Sequence, residues 1–396
     1  MIMMWGILIS VLMGLYSLMI LRFMRGWRLF TQGLPLDINS RMNTEKSELL
    51  LTVVVVARNE ALRMRPLLEA LAAQDFGLVY KRRWEVVWVD DESTDGSAEL
   101  VEAYAREHPD LLWRVLRRDG SDSYPLHKKG AVAMGISVAQ GECILVTDAD
   151  CVPGVGWCSA MTAALAGNST VEFVAGPVRL SPCGSLWLKS QAVEFMSLNA
   201  IAASSIALGQ PIISNGGNMA FRRSTFLALD PYADNMNHPG GDDDLLMHRV
   251  ALAFGPAAVV ICSDPRAMVD TPPVGALGNF LQQRIRWVSK QSAYPDPWVS
   301  GILKAVWLMQ ALMAAGLLAS FWGGSGLVIS WICLGAWCIK GWLDGIFIRR
   351  AAGFYGMRVD WSLLFLTQLW YLPYTLFAGL MGYRGQFEWK GRAYRT

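Results

Sequence analysis

The chain has 396 residues, of which 53% are hydrophobic and 17% charged, with a mean hydropathy of +0.30. That is too apolar for an ordinary soluble protein and too charged for a pure membrane bundle, so a soluble domain joined to membrane spans is expected. A net charge of +2, with the basic residues in short groups beside apolar stretches, excludes a nucleic-acid footprint. Seven cysteines, with no CxxC pair and several inside apolar runs (Cys143, Cys333, Cys338), argue for packed thiols over disulfides or a zinc site.

Residues 2–21 carry no charge and are long enough to cross the hydrocarbon as a helix. Arg22, Arg25 and Arg28 follow this run instead of preceding it, which predicts an uncleaved anchor over 1–24 with the next segment cytoplasmic. A linker is expected over 25–47. From 48 to 275, apolar runs of strand length alternate with amphipathic windows, the order of an α/β domain with a mainly parallel sheet. The predicted strands are LLTVVVVA (50–57), WEVVWVD (84–90), LLWRVL (111–116) and CILVTD (143–148), with helices near 61–74, 95–107 and 130–139.

Ligands of such sheets gather beyond the carboxyl ends of the strands. Three polar clusters fall there: Arg58, Asn59 and Glu60; Asp90 and Asp91; Asp148 and Asp150. In the TDADC stretch, side chains at i and i+2 of an extended segment face one side, so Asp148 and Asp150 repel unless a cation sits between them. A solvated turn after a strand would use the same residues. The chain has neither a GxGxxG after its first strand nor a GxxxxGK[ST]. A nucleotide would therefore be held through a metal-bridged diphosphate, since hard divalent cations take carboxylate and phosphate oxygens together.

Further on, 276–296 reads as an amphipathic interfacial helix, with Leu277, Phe280, Leu281, Ile285 and Val288 on one face and Arg284 and Lys290 elsewhere. Residues 297–383 hold about three spans, near 305–322, 327–347 and 362–382. The basic loop RRAAGFYGMR suits the inside and GGSG the outside. Three crossings would put Lys390, Arg392 and Arg395 of the basic tail (384–396) outside, against the positive-inside tendency, unless one segment is re-entrant or interfacial.

The motifs VVVARNE, VDDESTDGS, TDADC, GDDDLLMHR and QRIRW, in this order, resemble those of membrane-bound glycosyltransferase family 2, inverting enzymes of GT-A nucleotide-sugar fold. The resemblance implies that Ala57, Arg58, Asn59, Glu60 and Asp90 line a base and ribose pocket, supported by Asp91. It makes Asp148 and Asp150 the DxD that holds the sugar-nucleotide and a Mg²⁺ or Mn²⁺ ion. It makes Asp243 the general base, with Asp242 as runner-up, and like-charge repulsion in the acidic triplet would raise its pKa. The same GGDDDLL stretch would also serve as a capped helix start. Similarity to QxxRW implies that Arg286 neutralises the leaving diphosphate and that Gln283 and Trp287 border the acceptor. LHKKG places Lys128 and Lys129 where family members often have a lysine near the nucleotide, or in a solvated basic turn. SNGGNMAFRR resembles the acceptor-side loop, with Asn215, Gly216 and Asn218. The tail EWKGRAYRT resembles the W-x-x-G-R end of ceramide glucosyltransferase-like enzymes through Trp389, Gly391 and Arg392, with the spacing changed by one residue.

These features lead to an expected multi-pass membrane enzyme with a cytoplasmic catalytic domain, in the inner membrane if the cell is bacterial. It would move one sugar from a nucleotide-sugar, a UDP-sugar by family analogy, to a lipid or lipid-linked acceptor. The alternatives are a processive polysaccharide synthase of the cellulose, hyaluronan or poly-N-acetylglucosamine type, and a silent scaffold that binds a nucleotide-sugar.

Overall fold

The computed structural model describes residues 2–33, 51–75, 84–120, 124–125, 127–181, 184–233 and 240–395. The first helix, α1 (Ile2–Gln32), outruns the expected anchor because its buried stripe continues through Phe23, Trp27 and Phe30. Trp27 and Phe30 meet Phe354 at centroid separations of 5.9 and 4.9 Å, so the extra turns have apolar partners. Residues 34–47 of the expected linker lie outside the described residues.

The soluble core follows in the order β1 (Leu51–Ala57), α2 (Arg65–Ala72), β2 (Trp84–Asp90), α3 (Ser97–Glu107), β3 (Leu112–Arg117), α4 (Lys128–Val138) and β4 (Cys143–Asp148). Then come β5 (Val152–Pro153), α5 (Trp157–Ala166), β6 (Phe173–Ala175), β7 (Val178–Leu180), α6 (Leu186–Ala207), β8 (Met219–Arg222), α7 (Arg223–Leu229), α8 (Asp244–Phe254), β9 (Val259–Ile261) and β10 (Val269–Thr271). The main sheet runs β3-β2-β1-β4-β8-β6-β9, with β3, β2, β1 and β4 parallel and β8 antiparallel to both its neighbours. A smaller sheet runs β5-β10-β7.

Strand β1 is buried along its whole length, as a central parallel strand covered on both faces must be. Its residues divide by the period of two: Val53, Val55 and Ala57 pack with Leu67, Trp88 and Val101, while Val54 and Val56 pack with Ala131, Val132 and Ile136. The register pairs Ala57 with Asp90 and Val56 with Asp148, which brings the three polar clusters to one edge.

The chain continues through α9 (Leu277–Ser289), α10 (Pro297–Leu318), α11 (Gly324–Ala352), α12 (Trp361–Tyr383) and a hairpin of β11 (Gln386–Trp389) and β12 (Arg392–Arg395). Among the described residues, Ile2–Gln32, Pro297–Trp322, Gly324–Ala352 and Trp361–Tyr383 are long and apolar enough to cross a membrane. Within these helices Asp344 accepts from Lys340 (2.6 Å) and Gln368 (2.8 Å) and takes the Tyr16 hydroxyl (2.5 Å), tying α1, α11 and α12.

Two features of α9 and α12 depart from the sequence reading. Arg284 is buried, not displayed on a polar face: it forks onto Glu194 of α6 and lies 4.1 and 4.3 Å from the Phe280 and Trp287 ring centres. A fixed planar cation can be buried where a carboxylate and two π-faces replace its water, whereas Leu277 of the expected apolar face is exposed. Helix α12 begins shortly after Tyr355, whose carbonyl accepts from Arg179 of β7 (3.1 Å), and ends in a hairpin that touches Glu60 and Asp91. Both of its ends therefore sit on the side of the soluble domain.

Candidate active site

The first two strand ends are laced together by short polar side chains. Asn59 adopts a left-handed backbone (φ 53°), and its amide oxygen accepts from the Thr94 N–H at 2.9 Å. The Asn59, Glu60 and Ala61 N–H groups donate to Ser93 Oγ, Ser97 Oγ and Asp95 Oδ2, each at 2.9 Å. Arg58 donates to the Asp91 carbonyl at 2.5 Å, and the Ala57 carbonyl accepts from the Asp91 N–H at 2.8 Å. These bonds close the ARNE and DDESTDGS loops into one rigid rim, an arrangement Asn, Asp and Ser favour because their side chains mimic backbone turns.

Asp90 accepts from the Ser93 N–H through Oδ2 at 3.0 Å, while its buried Oδ1 has no hydrogen-bond partner among the described residues. Burial raises the Asp90 carboxyl above its ordinary range. An orphaned buried acceptor on a pocket rim suits a ligand N–H or hydroxyl. Asp91 is held by Arg118 (2.9 Å) and Arg392 (2.8 Å) and is almost fully buried.

At the third strand end, ligand atoms of Asp148, Asp150 and Cys151 lie within 4.8 Å of one another. Burial, then Asp148, then Glu60, push the Asp150 carboxyl up to about 6. The Cys151 thiol is buried and pushed well above its usual range, so it stays protonated and is no ligand for a hard cation. The two carboxylates therefore fit a divalent ion with oxygen preference: they face one volume and ionise together only at a cost that a cation removes.

Lys128 joins this edge to the acidic triplet. Its Nζ lies 2.6 Å from Asp148 and 2.8 Å from Asp242. Burial opposes its charge, but the two carboxylates outweigh it and raise its pKa. A Cβ at position 216 would stand 2.9 Å from both Lys128 Nζ and Asp242 Oδ2, so a side chain there would displace the tips of this pair. Lys129 is fully buried over the Tyr232 ring (5.7 Å), and burial lowers it to about 8 although the Asp242 charge opposes that shift.

Asp243 caps α8 and fastens the 214–216 loop. Its Oδ1 accepts from the Asp244 N–H (2.8 Å) and Lys290 (3.4 Å), and its Oδ2 from the Gly216 N–H (3.0 Å). The expected rise in its pKa is reversed: burial would raise it, but Lys290 and Lys128 hold it below the usual carboxylate range. Asp244 takes the Ser214 N–H (2.7 Å), the Tyr294 hydroxyl (2.6 Å) and Lys290 (2.6 Å). The sequence places Lys290 only off the apolar face of its helix and gives no sign of Tyr294; the packing of the segment after α9 against α8 brings both onto Asp244.

On the expected acceptor side, Asn215 accepts from the Gly217 N–H at 3.0 Å. Asn218 is instead a core bracket: fully buried, it accepts from Trp157 Nε1 (2.8 Å) and donates to the Pro177 and Ala267 carbonyls (2.9 and 2.8 Å). Its hydrogen-bonding capacity is consumed there, so it does not face an acceptor. Gln283 and Trp287 both pack around Arg284, and Arg286 is half-buried on the same helix.

Known proteins resemble this chain in sequence and in fold. Residues 52–228 match the family described as Glycosyl transferase family 2. A dolichyl-phosphate beta-glucosyltransferase, ALG5C of Trichomonas vaginalis, is 36% identical over 112 residues, 26% of this chain and 30% of that protein. The chain thus spans under a third of the curated relative it matches. The mannosyltransferase PcManGT from Pyrobaculum calidifontis, solved with GDP-Man and Mn²⁺, superposes with a TM-score of 0.61 at 20% identity, over 96% of this chain and 99% of that one. Glucosyl-3-phosphoglycerate synthase from Mycobacterium tuberculosis gives a TM-score of 0.42 at 18% identity, covering 63% of this chain and 82% of its own. Residues 52–228 thus resemble a glycosyltransferase family 2 domain, and the chain has a GT-A-like α/β fold set among helices long and apolar enough to span a membrane.

Proposed function

We propose that this protein is an inverting glycosyltransferase that moves one sugar from a nucleotide-sugar to a lipid acceptor in the membrane. The observation that carries the reading is the Lys128 bridge, which sets Asp242 beside the Asp148–Asp150 pair at the carboxyl edge of a parallel sheet. In this reading the rim of Arg58, Asn59, Glu60 and Asp90 takes the nucleoside, with the orphaned Asp90 oxygen as its polar reader. A Mg²⁺ or Mn²⁺ ion on Asp148 and Asp150 would neutralise the diphosphate as it leaves.

The acceptor hydroxyl must lose a proton as it attacks the anomeric carbon, with the diphosphate departing from the opposite face, and inversion follows from that in-line geometry. In this reading Asp242 takes that proton, because both Asp243 oxygens are committed to backbone N–H groups. Asp243 then acts as a positioning residue for the loop at 214–216. Arg286, Gln283 and Trp287 share α9, which packs on α12 through Val288 against Gly382 and Ile285 with Ala378. An acceptor delivered from the bilayer would meet the site along this helix.

The same contacts support a topology with a cytoplasmic domain and tail. Helices α1, α10 and α11 would cross, and α12, with both ends on the domain side, would lie in the interface and bring the basic tail back inside.

The test is release of nucleoside diphosphate by purified protein with Mn²⁺, coupled to mass spectrometry of lipids from cells expressing it. A glycosylated lipid that disappears with Asp150→Ala is the expected result. A long polymer with no modified lipid would instead establish the processive alternative.

A further inference from the structure

The C-terminal hairpin does not hang free of the domain. Its root is packed on the membrane-side helices: Phe387 is buried with Ile285 and Ala378, and the Glu388 N–H donates to Gln282 Oε1 at 3.1 Å. Its tip reaches the strand-end rim. There Lys390 contacts Glu60, the Lys390 carbonyl accepts from Arg58 Nε (3.5 Å), and Arg392 lies on Asp91 (2.8 Å) and Glu92. Lys390 also stands close enough to Asp150 for its charge to be felt there.

The turn itself is unusual for its composition. Trp389 pairs with Arg392, so Lys390 and Gly391 are the loop, with φ of 48° and 74°. Positive φ at both central positions marks a type I′ turn, which favours Asn-Gly or Gly-Gly; a lysine at the first position is held in a sparsely populated region. Turn chemistry alone would not select Lys here, whereas a need for a cation at the rim would.

The charges around the tip are balanced so that Lys390 can change partner. Glu60 has a second cation in Arg63 (2.9 Å), and Asp91 has a second in the buried Arg118 (2.9 Å). Withdrawing Lys390 therefore leaves no buried carboxylate alone, while Arg392 keeps the tip docked.

We propose that the C-terminal hairpin is a wall of the donor site and that Lys390, at its tip, is a donor-binding residue that engages the diphosphate of the nucleotide-sugar. This rests on the reading of the strand-end rim as a nucleotide-sugar pocket. It also makes donor binding depend on a segment rooted on the helix that carries Gln283, Arg286 and Trp287, so that the donor and membrane sides of the site are joined through one hairpin.

The test uses the full chain and two probes, UDP and GDP, each with Mn²⁺, titrated by calorimetry into the wild type, Lys390→Asn and Lys390→Arg. Asn suits the I′ turn better than Lys, so Lys390→Asn removes the cation without unfolding the hairpin. Loss of one charge-assisted contact is expected to weaken diphosphate binding about tenfold, with no fall in thermal midpoint, and Lys390→Arg to recover most of it. Unchanged affinity in Lys390→Asn overturns the proposal, as does a loss that comes with a lowered midpoint, which would mark a structural role. If the wild type binds neither diphosphate, the nucleotide-sugar reading itself falls and takes this inference with it; binding by the wild type with no effect of Lys390→Asn leaves that reading standing.

Discussion

Lys128 Nζ lies 2.8 Å from Asp242 Oδ2, and through this contact the start of α8 is joined to the sheet edge that carries Asp148. The contact sets Asp242, the proposed base, beside the proposed cation site although Asp242 lies 92 positions after Asp150 in the chain. Its consequences can be measured.

Exchanging the two neighbouring carboxylates separates chemistry from scaffolding. Asp242→Asn is expected to lower turnover by about 10²-fold or more while Mn²⁺-dependent nucleotide affinity holds, the range of a lost general base. Asp243→Asn should instead lower stability. Because the folded Asp243 carboxyl is held below its ordinary value, its contribution is present above the usual carboxylate range and lost as the pH falls through the lowered pKa. Unfolding midpoints of wild type and Asp243→Asn should therefore converge in acid. A variant Asp242→Asn with full turnover would return the base to Asp243.

At the proposed metal site, protons and metal should compete for Asp150. With its carboxyl pushed up to about 6, Mn²⁺ affinity should be nearly flat above that pH. Below it, affinity should fall about tenfold per unit, one proton being displaced by each ion bound. Titration at pH 5, 6 and 7 measures the slope, and Asp150→Ala should remove metal-dependent turnover with the fold intact. A flat profile would detach Asp150 from the metal.

Gly216→Ala introduces a Cβ 2.9 Å from both Lys128 Nζ and Asp242 Oδ2. A flexible lysine tip can retreat, so the cost to stability is expected to be small, about 1 kcal/mol. Turnover should drop far more, about tenfold or greater, because the Asp148–Lys128–Asp242 alignment is lost. Equal losses in stability and turnover would argue against that alignment as the functional element.

The buried fork of Arg284 on Glu194 predicts a asymmetric double-mutant cycle. Glu194→Gln alone should cost about 3 kcal/mol, since it leaves a buried guanidinium without its counter-charge. Combining it with Arg284→Met should recover much of that loss, as Met refills the space between Phe280 and Trp287 without a charge. Thermal unfolding of the purified protein in detergent checks the cycle.

The parallel sheet, the apolar helices and the strand-end clusters are legible in the amino-acid order alone. These follow from local periodicity: VVVV buried on both faces, and polar residues wherever an apolar run stops. It also marked Asp148 and Asp150 as a pair, because i and i+2 on an extended chain must share a side. What it could not decide depends on contacts between distant segments. Asn218 lies in a polar loop-like string yet spends all its hydrogen bonds in the core, and Arg284 reads as a surface cation yet is buried on Glu194. Which of three adjacent aspartates pairs with Lys128 beside Asp148 was set by Lys128, Lys290 and the Gly216 N–H, none adjacent in sequence. The place of the tail was decided in the same way: its basic residues conflicted with a count of crossings, and only the hairpin docked on Glu60 and Asp91 returned it to the domain. Local pattern specifies an element and its buried face; the partner of a charge is chosen by tertiary packing, because a buried charge must find its counter-ion wherever the fold supplies one.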